Sequence, residues 1–405
     1  MTAARRLFDL ANRGLDRLGF LAGEPAADRL IRRSDPPDTL AAIRAWRVEE
    51  ALSAWTRALR EEAALAASGR LAARLEARRA IATLGRLHAA EAADPSILDE
   101  PIPAPIFITG MPRSGTTFLH RLLALDPANR VPSCWETLLP YPPRRGRDRR
   151  RQRVEREFRA FLRLAPELSS LHPLAADLPQ ECTAITALVF RSLRYDTTHR
   201  VPGYRAWLDA SAHGEAYRFH RRFLQHLQRA GGGPRRRWVL KSPDHLFALD
   251  AIRAVYPDAR LVVVHRDPLR VLPSVARLTE VLRAPFTRAL DPAEIGRQVS
   301  RDWLDGARRM IALGASWPAD RVLHLHHADV TDRPVGTVER LYDFLGCDVP
   351  DDARSRIATF LSRHPRGGYG ANSYRLADHG LDPATERRRF ADYVETFAVR
   401  CEQAA

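Results

Sequence analysis

Residues 106–117 read Ile106-Phe107-Ile108-Thr109-Gly110-Met111-Pro112-Arg113-Ser114-Gly115-Thr116-Thr117, and the helical stretch Phe118 to Leu125 follows. A short apolar run ending at glycine suits a buried strand. The G-x-x-x-x-G-T-T spacing then fits a phosphate loop, in which backbone N–H groups and the N-terminus of the next helix cradle anionic oxygens. The lysine that reaches the outer phosphates of a nucleoside triphosphate in such loops is replaced by Thr116, and the positive charge sits inside the loop at Arg113. This is the pattern of a loop for a donor without a triphosphate.

Outward from the loop, Pro101, Pro103 and Pro105 separate it from a region that reads as helix from residue 1 to about 95, rich in Ala, Leu and Arg with apolar residues at helical spacing. Two further apolar runs, Trp238 to Leu240 and Leu261 to Val264, suit strands, and Val322-Leu323-His324-Leu325 is a fourth candidate. Strands alternating with helices argue an α/β fold, a doubly wound parallel sheet flanked by helices. The expected organisation is a helical N-terminal region over 1–100 and a phosphate-loop domain over 101–405. A helical insertion, about 140–235, is expected to cover the active site. Within it the basic run Arg144 to Arg159 reads as a solvated helix face, because Glu155 and Glu157 interrupt it and aromatic platforms are sparse.

The chain has 405 residues with 45% hydrophobic and 28% charged content, which excludes a disordered polymer and allows a large core. No apolar run approaches a membrane span and the first residues lack a secretory signal, so the cytoplasm is the expected compartment. Cys134, Cys182, Cys347 and Cys401 form no CxxC pair, which argues against a zinc site or a disulfide framework. A net charge of +15 raises nucleic-acid binding, but 63 of the 64 basic residues are arginine, a coding bias that weakens that argument. The same bias singles out Lys241, since arginine serves wherever a simple positive charge suffices.

The strand Leu261 to Val264 runs into His265-Arg266-Asp267-Pro268, with Ser274 further along the next helix. Asp267 and Pro268 make a good helix start. Arg266, at the carboxyl end of a central strand, is placed to hold a second phosphate in the crevice above the sheet, with Ser274 beside it. The triplet His-Arg-Asp also occurs in protein kinases, but the accompanying asparagine and Gly-rich lid are missing.

The loop Thr109 to Thr117, TGMPRSGTT, resembles the 5′-phosphosulfate loop of sulfotransferases, closest to the form in tyrosylprotein and stand-alone bacterial members. Arg266 to Ser274 is similar to that family's 3′-phosphate motif, and Ala328-Asp329-Val330, Thr337-Val338 and Phe344-Leu345-Gly346 resemble its later segment. The resemblance spans about 105–346. It implies 3′-phosphoadenosine 5′-phosphosulfate (PAPS) as donor, 3′-phosphoadenosine 5′-phosphate (PAP) as product, in-line sulfuryl transfer and no metal. Arg113, Ser114, Gly115, Thr116 and Thr117 would hold the 5′ end, and Arg266 and Ser274 the 3′-phosphate. Arg366, in Arg366-Gly367-Gly368, resembles the loop that closes on the 3′-phosphate, although the lysine of that loop is absent.

Lys241 stands where sulfotransferases carry a lysine on the transferring group, which makes it the expected stabiliser of the leaving phosphate with Arg113 beside it. Three residues compete as general base. His245 is displaced from its place in cytosolic members by Ser242-Pro243-Asp244. Glu136, in Ser133-Cys134-Trp135-Glu136-Thr137, matches the glutamate of tyrosylprotein sulfotransferases and is favoured, with a helix cap or an arginine partner as its alternative role. Glu181, in the Asp177 to Glu181 stretch, is read rather as lining the acceptor pocket. His324 and His326 fall on one strand face and His327 on the other, which is read as structural rather than metal-binding.

The acceptor is expected to be a hydroxyl, phenol or amine on a small molecule, lipid, glycan or peptide. Two other functions compete: a phosphotransferase acting on a small metabolite with Asp267 near magnesium, and a basic binder of nucleic acid or a membrane surface.

Overall fold

The computed structural model describes residues 3–18, 23, 25–32, 35–142, 146–171, 174–211, 213–232, 234–364 and 374–402. Two compact units emerge. One comprises Met1–Pro101, Pro132–Gly233 and Thr279–Leu290, and the other Ile102–Val131, Pro234–Leu278 and Asp291–Ala405.

The second unit is built on five strands: β1 (Ile106–Gly110), β2 (Asn129–Arg130), β3 (Arg237–Lys241), β4 (Arg260–His265) and β5 (Val322–His326). Their order is β2-β3-β1-β4-β5 and every pairing is parallel. Parallel strands are covered on both faces, which is why β1 and β4 read as unbroken apolar runs. On one face Ile106, Ile108, Val239, Val262, Val264 and Leu325 pack on Leu119, Leu122 and Leu123 of the helix Thr116–Leu123. On the other, Phe107 meets Tyr256 and His245. The chain leaves β1 towards the β3 side and leaves β4 towards β5, so the crevice of this open sheet opens at the carboxyl ends of β1 and β4.

All four expected strands are present. The fifth, β2, is a polar dipeptide at the sheet edge without an apolar pattern; Arg130 lies over the Trp238 ring at 4.6 Å, so contact with β3 holds it.

Among described residues the first unit carries helices and no named strand. Its core centres on Trp55, wholly buried, with Tyr195 at 4.5 Å and Phe190 at 5.6 Å between ring centres. The buried hydroxyls are satisfied locally: Tyr195 donates to the Ala187 carbonyl and Tyr204 to the Phe190 carbonyl, each at 2.9 Å. No described helix is long and apolar enough to cross a membrane.

Buried histidines set an acid limit on stability. Burial pushes His199 and His220 down to about 3, with Arg283 and Arg194 adding to the effect at His199. His265 falls to about 2 through burial and its histidine neighbours. These rings stay neutral in the fold but bind protons in the unfolded chain below about pH 6.5. Their contribution is therefore intact above pH 6.5 and is lost as pH falls towards 3, each removing about 1.4 kcal/mol per pH unit well below 6.5. Urea unfolding between pH 7 and pH 4.5 should show this decline, and His220→Phe should flatten it by one proton. An equally steep slope in the variant would show that His220 protonates within the fold.

Candidate active site

The loop after β1 is bent by residues in left-handed backbone. Gly110 has φ +136° and lies against β4, where a Cβ would sit 2.3 Å from the Val264 carbonyl oxygen. Gly115, with φ +95°, is the N-cap of the helix Thr116–Leu123 and offers no side chain to its first N–H groups. That helix start is suited to an anion. A Cβ on Gly115 would come within 3.1 Å of His327 Nδ1, so only glycine lets the backbone pass there without displacing the ring.

Arg113 adopts φ +65° although it is not glycine, a conformation that costs about 1 kcal/mol and needs support from its surroundings. The support comes from the ends of two strands. Beyond β4, Arg266 donates from Nη1 to the Arg113 carbonyl at 2.6 Å. Beyond β5, His327 Nδ1 lies 3.1 Å from the Ser114 carbonyl. A carbonyl only accepts, so Nδ1 carries the proton. Burial and the Arg266 charge push His327 down to about 4, which keeps the ring neutral at physiological pH. The Arg113 side chain donates from Nε to Ser274 Oγ at 3.1 Å.

Lys241, the last residue of β3, is almost wholly buried, and its Nζ donates to Thr117 Oγ1 at 3.0 Å. The structure thus joins Lys241 to Thr117 on the loop helix, and Arg113 to Arg266 and Ser274. Ser114 is buried within the loop and Thr116 opens the helix.

His245, Glu136 and Glu181 each have partners of their own. His245 is fully buried in the short turn Pro243–Phe247, its ring edge-on to Phe107 at 4.9 Å. Glu136 and Glu181 both belong to the first unit. Glu136 closes a capping box: Ser133 N and Oγ donate to its Oε2 at 3.0 and 2.8 Å, and its own N–H donates back to Ser133 Oγ. The chain before this helix bridges antiparallel to Pro179, and Gln180 N donates to the Pro132 carbonyl. The Asp177 to Glu181 stretch is therefore joined to the entry of the Glu136 helix. Arg366 lies outside the described residues.

Asp267 has both oxygens engaged by backbone: Oδ1 accepts from Leu269 N and Oδ2 from Glu402 N, at 2.9 and 2.8 Å. It acts as a cap and an anchor. His327 and Glu402 are residues of this site that the sequence reading did not select. The signal for His327 was its place at the carboxyl edge of a strand, where ligand-binding groups collect in open parallel sheets; Glu402 carries no comparable signal.

With this geometry in place, comparison with known proteins is decisive. The profile of the sulfotransferase family matches residues 105–351. The chain belongs to the sulfotransferase family. It is 27% identical over 290 residues to omega-hydroxy-beta-dihydromenaquinone-9 sulfotransferase Stf3 of Mycobacterium bovis and of Mycobacterium tuberculosis, covering 67% of this chain and 70% of those proteins. The crystal structure of sulfotransferase STF1 from Mycobacterium tuberculosis superposes with TM-score 0.75 at 30% identity, over 90% of this chain and 99% of that one. STF9 from Mycobacterium avium gives 0.78 at 26% identity, over 92% and 100%. The protein is a sulfuryl-transferring enzyme of the stand-alone bacterial type, and the phosphotransferase and charge-binder alternatives are not favoured.

Because Gly115 combines left-handed backbone with a close neighbour, Gly115→Ala should weaken PAP binding by at least about tenfold in calorimetry with the helical circular dichroism retained. Undiminished affinity would show that the loop does not depend on this backbone.

Proposed function

We propose that this sulfotransferase uses PAPS as donor, with the loop 110–117 and the start of the helix Thr116–Leu123 holding the 5′ end and Arg266 with Ser274 holding the 3′-phosphate. The observation that carries the reading is the convergence of Arg266, Arg113, Ser274 and the glycine-turned loop above the β1–β4 crevice. The group fits these residues. Gly115 leaves uncapped N–H groups at the helix start, and Arg266 already holds a carboxylate by two parallel hydrogen bonds, the geometry in which a guanidinium also takes phosphate. The donor supplies an activated sulfuryl group whose departure leaves charge on a phosphate oxygen.

Lys241 is the cation for that charge. Burial excludes competing water, and the bond to Thr117 ties its ammonium to the loop helix, so little reorganisation accompanies the growth of charge. Arg113 adds positive charge from within the loop. We assign Glu136 as the proton acceptor for the incoming group, supported by its match to the tyrosylprotein pattern and by the capping box that fixes its carboxylate. His245, packed under Phe107, is not favoured for that role, and Glu181 is kept as a residue of the acceptor side. A requirement for metal forms no part of this mechanism. The name of the mycobacterial relative supports an acceptor class of alcohols on apolar carriers, and a cytoplasmic location is proposed with it.

Lys241→Ala should reduce kcat by about 100- to 1,000-fold while leaving PAP affinity within a few-fold. Equal turnover in wild type and variant would take Lys241 out of the reaction. Glutamine can close the same capping box, so Glu136→Gln separates the two roles of this side chain. Proton acceptance predicts unchanged thermal stability with a loss in kcat of about 100-fold or more. Retained kcat would leave Glu136 as a cap alone.

A further inference from the structure

The carboxyl-terminal stretch of the described chain ends on the donor site. In the helix Ala391–Thr396, Tyr393 is buried with its hydroxyl 3.1 Å from His265 Nδ1. Phe397 stacks on His265 at 4.1 Å and on His324 at 5.2 Å between ring centres. These aromatic contacts dock the segment on the carboxyl ends of β4 and β5. Ala398 then turns the chain with φ +48°, and Val399 N donates to the Val394 carbonyl at 2.9 Å. The turn brings Glu402 over the β4 end.

There Glu402 is held at both its backbone and its carboxylate. Its N–H donates to Asp267 Oδ2. Its carboxylate accepts from Arg266 Nε and Nη2 at 2.8 and 2.9 Å, with Arg270 Nε 3.9 Å away. Burial tends to raise the carboxyl, and the hydrogen bonds from Arg266 outweigh it, so the group is held below its ordinary range. Arg266 Nη1 donates to the Arg113 carbonyl. The Nε–Nη2 edge of Arg266 is thus filled by an internal anion. That edge is the one a phosphate takes in a fork geometry, and a carboxylate and a phosphate cannot both occupy it without like-charge repulsion.

We propose that Glu402 is a built-in competitor for the 3′-phosphate seat, which the donor must displace from Arg266 in order to bind. This rests on the assignment of Arg266 to the 3′-phosphate. Donor binding then exchanges one anion for another on the same guanidinium and frees the turn 398–402, while Tyr393 and Phe397 keep the preceding helix docked. The competition lowers donor affinity by the share of molecules in which Glu402 holds the seat. It also couples the order of the carboxyl-terminal segment to occupancy of the donor site.

Calorimetric titration with PAP of wild type, Glu402→Gln, Glu402→Ala and Arg266→Ala tests this, with thermal melts to confirm that each variant folds. Both Glu402 variants should bind PAP about three- to tenfold more tightly than wild type, and hydrogen exchange of amides 398–402 in wild type should accelerate when PAP is added. Equal or weaker binding by both variants would overturn the proposal and make Glu402 a residue that orients Arg266. The donor reading fails separately. If wild type binds no PAP, or Arg266→Ala binds it as well as wild type does, the assignment of Arg266 falls and the competition falls with it.

Discussion

The left-handed loop after β1 is held by side chains that take its carbonyl groups, and the second unit of this protein is organised around that restraint. Arg266 takes the Arg113 carbonyl and His327 faces the Ser114 carbonyl. The two donors come from the ends of two neighbouring strands, so the loop conformation depends on β4 and β5 being in register with each other and with β1. Sheet pairing, itself fixed by apolar side chains on both faces, is thereby converted into the aim of a few peptide groups. A left-handed arginine persists in the loop because its side chain and its carbonyl are both tied down.

The same economy governs the charges. Lys241 is buried yet bonded to Thr117, and Arg266 places one N–H on a backbone carbonyl and two on a carboxylate. Buried cations need such partners, because an unpaired charge in a low-dielectric site is costly. Where the partner is another side chain, as with Glu402, an entering anion can replace it. Where it is the backbone carbonyl of Arg113, replacement would unmake the loop. These two kinds of partner separate the contacts that a ligand can exchange from those that define the site.

Much of this was legible in the chain itself. The apolar runs at 106–109, 238–240 and 261–264 became strands because buried parallel strands carry apolar residues on both faces, while the stretch 322–325 became the half-buried edge strand β5. The G-x-x-x-x-G-T-T loop and the lone lysine were visible as spacing and composition. Less visible were features that arise only between distant segments. β2 has no pattern of its own and is held by β3. His245 is near a strand end in sequence, yet packs against Phe107 under the sheet. Glu136 does close a helix cap, the alternative that its position three residues after Ser133 allowed.

Sequence by itself determined the class of fold and the glycine-turned loop between β1 and its helix, because each is written in consecutive residues whose backbone preferences are local. It also marked Arg266 and Ser274 as a pair, since a helix carries the spacing between them. Tertiary structure alone decided which groups restrain the loop and which anion sits on Arg266. His327 reaches Ser114 across 213 positions, and Glu402 reaches Arg266 across 136. Contacts of that separation depend on how strands register and where a carboxyl-terminal helix docks, and neither leaves a periodic trace in the residues concerned.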